Sequence, residues 1–318
     1  MKESFLKILQ RYLRAKLSFL YEKYEVKTSK IESLIREIQL FLDYIPKVNK
    51  NFKVSTHKIF SNRILNLVKE GSFLNFLQKS FIQQMFFIHN RFYLLNYLLE
   101  LKKADKWFFW KKIIKETNIG NPVRFFFYPM SSGNKIFQAY HLKQYEDFSN
   151  INLKEFNLVV EFGGGYGNMA CMFQKINPTI KYIIFDTFEV NLLQYYYLRR
   201  NRINVIFNEN IKKAYSVYLT NSINSLKSKI FFLKKKNNKK LFIANWSLSE
   251  TPIKLRNSLK FLFSEFDYQL ISFQKKFENI NNYNYFFNLL KYNQSKKRFS
   301  EIQSINQMNN HFYLFSKR

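Results

Sequence analysis

Residues 157–186 constrain this chain more than any other stretch: NLVVEFGGGYGNMACMFQKINPTIKYIIFD. Leu158, Val159, Val160 and Phe162 form a short apolar run, the pattern of a strand buried on both faces of a parallel sheet. The run ends at Glu161-Phe162-Gly163-Gly164-Gly165-Tyr166-Gly167. Residues without a Cβ let a chain turn sharply and let a ligand come close to the backbone. Ala170, Met172, Phe173 and Ile176 then recur at helical spacing until Asn177-Pro178 stops the helix. Tyr182, Ile183, Ile184 and Phe185 make a second strand with Asp186 at its carboxyl end.

Strand, glycine turn, helix and strand make half of a nucleotide-binding crossover. The turn sets backbone N–H groups and a helix N-terminus at the end of the first strand, and the acid after the second can accept from ribose hydroxyls. Gly167 and Asp186 are 19 residues apart, against a spacing of about 20 for such a unit. The plainer alternative is a glycine-rich loop whose acid caps the next helix. Four glycines, the surrounding elements and the spaced acid together favour a nucleotide-type cofactor.

The turn reads E-x-G-G-G-x-G rather than the G-x-G-x-x-G of NAD enzymes. In that form it resembles motif I of class I S-adenosylmethionine-dependent methyltransferases. More narrowly, VVEFGGGYGNMA, YIIFDTFEVNLLQYYYL and LFIANWSLSETP resemble a family of sugar O-methyltransferases associated with bacterial surface polysaccharides. The resemblance runs roughly from Gly120 to Phe273 and is absent before about residue 110. The family's D-L-P-E after the second strand is here Asp186-Thr187-Phe188-Glu189, a change that touches the local turn and leaves the acid. The resemblance implies an α/β fold, the Rossmann-like seven-stranded sheet of class I methyltransferases, with S-adenosylmethionine as cofactor. It implies a sugar, nucleotide-sugar or glycan acceptor, and a cytoplasmic enzyme of polysaccharide biosynthesis.

Elsewhere the chain carries less information. Its 318 residues predict two domains, a helical one over 1–120 and the methyltransferase domain over 121–318, divided at Gly120-Asn121-Pro122. Phe5, Leu9, Tyr12, Leu13, Leu17 and Leu20 predict one amphipathic helix, and Ile31, Leu34, Ile35, Ile38 and Leu42 a second. Further helical stripes run through Ile64, Leu65 and Val68 and from Phe73 to Leu101. Lys7, Gln10, Arg11 and Arg14 interrupt the first segment, which argues against an ordinary signal peptide. The window Phe81–Leu99 is too polar to span a bilayer. The single cysteine, Cys171, reads as a core thiol in a reducing compartment.

A net charge of +30 suits polyanions, including acidic lipid at the inner face of a membrane, nucleic acid or acidic glycans. Lysine drift over solvated faces explains it equally well. Nucleic acid is disfavoured because Asn245-Trp246-Ser247-Leu248 lacks both prolines of the N/D-P-P-aromatic tetrad of DNA and RNA amino-methyltransferases. A nucleic-acid methyltransferase and a non-catalytic scaffold of the same fold are the competing readings.

After Asp186 the pattern predicts a helix to Arg200-Asn201, a strand at Asn204–Phe207, and a helix over 211–229 with an edge segment at Ile230–Leu233. A strand at Leu241–Asn245, a helix over 253–266, a strand at Tyr268–Phe273 and a helix at Tyr283–Tyr292 come next. Arg298–Ile305 and His311–Phe315 then form a closing antiparallel pair. Ligands of open α/β sheets bind at the carboxyl ends of strands. Asn245 and Trp246 therefore join Glu161, Gly163, Gly164, Gly165, Gly167, Asp186 and Thr187 as cofactor-side candidates, with Ser249 and Glu250 on the acceptor side. Ser249 as a helix cap is the structural alternative. His141 and Glu250 are the candidate catalytic residues, either one a base for an acceptor hydroxyl. His57 and His89 read as structural or exposed, and His311 as structural, lying away from the crevice. No His/Asp/Glu cluster has metal-ligand spacing.

Overall fold

A computed structural model describes residues 26–44, 55–86, 91–103, 105–207, 215–233 and 239–318. The expectations for residues 1–25, the side chain of His57 and His89 lie outside the described residues. The chain divides into two compact units, Met1–Leu40 with Arg63–Lys143, and Phe41–Asn62 with Gln144–Arg318.

Unit one is helical with a small hairpin. Its helices are α1 (Ser29–Leu40), the end of α2 (Ser55–Lys69), α3 (Ser80–Met85), α4 (Tyr93–Lys103) and α5 (Trp107–Ile114). The hairpin β1 (Arg124–Phe125) and β2 (Tyr128–Ser132) follows, then the first part of α6 (Gly133–Ser149). Ile31, Ile35 and Ile38 are the buried stripe of α1, as their spacing predicts. Gln39 Nε2 donates to the carbonyls of Val68 and Lys69, satisfying acceptors at the end of α2. The apolar window from residue 81 to 99 is divided between α3 and α4, and among the described residues no helix is long and apolar enough to cross a membrane. Tyr97 of α4 stacks on Tyr140 of α6 with ring centroids 3.9 Å apart. A buried ion pair joins Lys135 Nζ to Glu116 at 2.9 Å, and Ser132 Oγ donates to the same carboxylate. Against the cost of burial, these partners hold Glu116 below the usual carboxylate range.

Unit two is a three-layer α/β unit around a sheet of order β11-β12-β8-β7-β3-β4-β6-β5. Its strands are β3 (Leu158–Phe162), β4 (Lys181–Phe185), β5 (Val205–Phe207), β6 (Val217–Thr220), β7 (Lys240–Asn245) and β8 (Tyr268–Gln274). A two-stranded hairpin, β9 (Lys276–Phe277) with β10 (Ile280–Asn281), stands apart from β11 (Phe299–Ser304) and β12 (His311–Lys317). All pairs are parallel from β8 to β5, and β12 runs antiparallel to both of its neighbours. The helices are α7 (Asn168–Ile176), α8 (Phe188–Arg200), α9 (Ile223–Leu233), α10 (Ile253–Ser258), α11 (Lys260–Glu265) and α12 (Asn282–Ser295). One face of the sheet, carrying Val160, Phe162, Ile183, Phe242, Ala244 and Ile271, packs in a core with residues of α9 to α12. Burial in such sheets contributes about 25 cal/mol per Å² of apolar surface removed from water.

The parallel core and closing antiparallel pair match expectation, with three corrections. Among the described residues the sheet has eight strands, not seven, because Val217–Thr220 forms β6 inside the stretch expected to be helical. All four of its residues are buried, so no alternation marks it as a strand. Ile230–Leu233 is the last turn of α9 rather than an edge segment. The helix expected over 253–266 breaks at Leu259, where Ser258 Oγ donates to Leu255 O and competes for a backbone acceptor.

Candidate functional site

The site assembles at the carboxyl ends of β3, β4, β7 and β8. From β3 the chain proceeds through β4 to one side of the sheet and through β7 to the other, which makes a topological switch point between β3 and β7. Gly163, Gly165 and Gly167 have φ of 72°, 56° and 92°, in the left-handed region that a side chain strains. Gly163 N–H donates to Phe185 O at 2.9 Å, which ties the turn to the end of β4. A Cβ on Gly163 would overlap Ser247, whose hydroxyl donates to Phe162 O, so the turn after β3 and the loop after β7 touch here. A Cβ on Gly164 would lie 2.7 Å from Ile184 Cγ2 and 3.0 Å from Glu161 Oε2.

Glu161 supports this turn from beneath. It is buried, and its Oε2 accepts from Tyr182 OH at 2.8 Å. Burial pushes its pKa up to about 8, with the Asp186 charge adding and the Tyr182 hydrogen bond opposing. Asp186, by contrast, stays half-buried at the end of β4. Thr187 N–H donates to its Oδ1 at 2.8 Å and Gln194 Nε2 to its Oδ2 at 2.9 Å. Burial pushes Asp186 up to about 7 despite those two bonds. The same Gln194 Nε2 lies 2.9 Å from Gly165 O, so one side chain of α8 pins the glycine turn to the acid. Gln194 was not among the sequence candidates. Its offset of eight residues from Asp186, two helical turns into α8, is the signal that finds it.

The loop after β7 is held by side chains. Trp246 has φ 60°, an outlier for a bulky residue. Its N–H donates to Ser272 O at 2.8 Å and its Nε1–H to His311 Nδ1 at 2.7 Å. Ser249 Oγ sits 2.6 Å from both Trp246 O and Gln274 Oε1, and Gln274 Nε2 lies 3.4 Å from Glu250 Oε1. Ser249 therefore does not cap α10, whose N-cap is Pro252. Fully buried Arg256 donates to Thr251 O, Asn282 Oδ1 and Ser249 O at 2.7–2.9 Å, and burial draws its pKa down to about 10. Burial also pushes Glu250 up to about 7, with Gln274 opposing.

His311 needs a correction. The expectation placed it away from the crevice, yet β12 runs antiparallel to β8, so its first residue pairs with Gln274 at the carboxyl end of β8. His141 lies in unit one, fully buried on α6 with the Phe137 ring 4.2 Å away, and burial draws its pKa down to about 3.

Strand order, the switch point and the closing antiparallel pair decide the architecture. The fold is the Rossmann-like class I methyltransferase fold. No protein-family model matches the chain, and no curated protein matches it either. Among solved structures the chain is similar to an rRNA methylase from Streptococcus thermophilus, at 13% identity and TM-score 0.39 over 56% of this chain and 96% of that one. It is similar to the precorrin-6y C5,15-methyltransferase of Geobacter metallireducens at 10% identity and TM-score 0.37, covering 57% and 87%. Aeropyrum pernix fibrillarin, crystallised with natively bound S-adenosyl-L-methionine, gives 11% identity and TM-score 0.36, covering 52% and 68%. With TM-scores of 0.39 or less, the assignment of fold rests on the strand order and not on these likenesses.

The residues at the switch point fit a nucleoside ligand. Thr187 Oγ1, after β4, and Asn245 Nδ2, at the end of β7, are buried polar atoms without a partner among the described residues. They flank a turn of positive-φ glycines that opens a helix, and a half-buried carboxylate lies beside them. A buried polar atom left unpaired costs about 1–3 kcal/mol, which a bound ligand can recover.

Proposed function

We propose that this chain is an S-adenosylmethionine-dependent methyltransferase that acts on a hydroxyl of a sugar. The observation that carries the reading is the pair of hydrogen bonds that Gln194 Nε2 donates, which fixes the glycine turn and the Asp186 carboxylate as one unit. Asp186 would accept from the ribose hydroxyls, and the N–H groups of the turn with Thr187 and Asn245 would hold the remaining polar groups. When bound, S-adenosylmethionine supplies a methyl group already activated on a sulfonium, so positioning supplies much of the rate.

Glu250 is the base of this reading. A carboxylate raised to about 7 is matched to accepting a proton at neutral pH, and Gln274 orients it. Glu250 would take up the acceptor hydroxyl's proton while that oxygen gains the methyl group and the methyl–sulfur bond breaks, releasing S-adenosylhomocysteine. His141, fully buried and poorly basic, is given no step. The resemblance of the three motifs to sugar O-methyltransferases, and the missing prolines after Asn245, support a sugar hydroxyl over a nucleic-acid amine.

The test is methyl incorporation from labelled S-adenosylmethionine into nucleotide sugars, with total RNA as the competing acceptor. Glu250→Gln is expected to lower the rate by about a hundredfold or more while S-adenosylhomocysteine binding persists. Label entering RNA and not sugar overturns the acceptor; an undiminished Glu250→Gln rate overturns the base.

A further inference from the structure

Beyond the cofactor crevice, the ends of β7, β8 and β12 carry polar side chains on one face of the sheet. Register pairs Asn245 with Ser272 and Gln274 with His311, and residues directly opposite one another share a face. Ser272 Oγ donates to Asn245 Oδ1 at 2.8 Å across β7 and β8, as that geometry requires. Gln274, next along the same face of β8, reaches Ser249 and Glu250. His311 ends the row.

The chemistry of His311 is fixed by Trp246. An indole N–H only donates, so an imidazole Nδ1 lying 2.7 Å from it must be the unprotonated, accepting nitrogen. The neutral ring then carries its proton on Nε2. Protonation would set an Nδ1–H against the indole N–H, so the pair holds the ring neutral, and burial acts in the same direction. His311 is half-buried, and Nε2 has no hydrogen-bond partner among the described residues. It cannot serve as a base while Trp246 holds Nδ1. It is a donor of fixed direction. The strained φ of Trp246 is the backbone geometry that carries the indole across the end of β8 to reach it.

We infer that His311, Gln274 and Glu250 form an acceptor subsite for a molecule presenting neighbouring oxygens. One oxygen receives the Nε2–H bond of His311, and its neighbour gives its proton to Glu250. A vicinal diol of a sugar has this chemistry, and an isolated hydroxyl does not. His311 is thus a specificity-determining residue, an inference that rests on the methyltransferase reading above.

The experiment uses the full chain loaded with S-adenosylhomocysteine and labelled with 15N-histidine. The His311 ring is expected to show one tautomer, with its proton on Nε2. Titration with UDP-glucose, UDP-N-acetylglucosamine and GDP-mannose is expected to shift that Nε2 signal for at least one of the three. His311→Leu should weaken the same sugar's binding about tenfold. His311→Gln should restore much of it, and S-adenosylhomocysteine affinity should stay at the wild-type value in both variants. A proton on Nδ1, an Nε2 signal unmoved by all three sugars, or undiminished sugar binding by His311→Leu would each overturn the subsite. Failure of the wild-type chain to bind S-adenosylhomocysteine is a separate result, and it overturns the cofactor reading instead.

Discussion

The turn after β3 and the loop after β7 leave adjacent strands at the same end of one sheet, and they are built on opposite principles. The first is shaped by missing side chains: three glycines at positive φ, no Cβ to meet Ser247 or Ile184, and a helix opening on Gly167. The second is shaped by side chains that lock one another, with Arg256 and Asn282 on the carbonyls of Ser249 and Thr251 and Trp246 on His311. A turn that presents bare backbone suits a ligand held by its carboxylate or ribose edge. A loop that presents fixed side chains suits discrimination among acceptors. On the reading proposed above, the contrast is one of function as well as construction.

The largest effect is expected where the two regions touch. Gly163→Ala puts a methyl group into Ser247 at a φ of 72°, and strain with overpacking should cost about 3 kcal/mol or more, read as a fall in denaturant midpoint. Arg256→Met breaks the second region alone. It leaves the carbonyls of Ser249 and Thr251 short of a donor and should cost about 2–3 kcal/mol. The distinction to watch is cofactor affinity. Gly163→Ala should lose it, whereas Arg256→Met, where it still folds, should keep S-adenosylhomocysteine affinity and lose turnover. Equal loss of affinity in both variants would erase the contrast.

A third test is the dependence on pH. Glu161, Asp186 and Glu250 are raised on folding to about 8, 7 and 7 by burial. An acid with a raised folded pKa binds its proton more tightly when folded. Its contribution is therefore most favourable below the unfolded value near 4 and is lost as pH climbs through the folded value. These three groups make the ligand-free chain less stable at pH 8 than at pH 5. Glu116, lowered on folding, works in the other direction in unit one. Comparison of melting temperatures for wild type and Glu250→Gln isolates one of the three slopes, and the variant should show the flatter profile.

The same contrast decides what the sequence reveals. Glycines, a β-branched run and a spaced acid are local signals, so β3, α7, β4 and Asp186 can be read directly from the letters. The closing pair was legible for the same reason, since two alternating runs separated by a short connection need no distant partner. What could not be read depends on contacts between residues far apart in the chain. Ser247 meets Gly163 across 84 positions, and His311 meets Trp246 across 65. Arg256 looks like a surface cation of an amphipathic helix until Asn282 and two carbonyls enclose it. Strand β6 escaped because four buried residues carry no period.

Calorimetry of S-adenosylhomocysteine binding to wild type and Asp186→Ala tests the central claim most directly. Saturable one-site binding by the wild-type chain, weakened about tenfold or more by the substitution, is the expected result. No binding by the wild-type chain, or equal affinity in the two proteins, would contradict it.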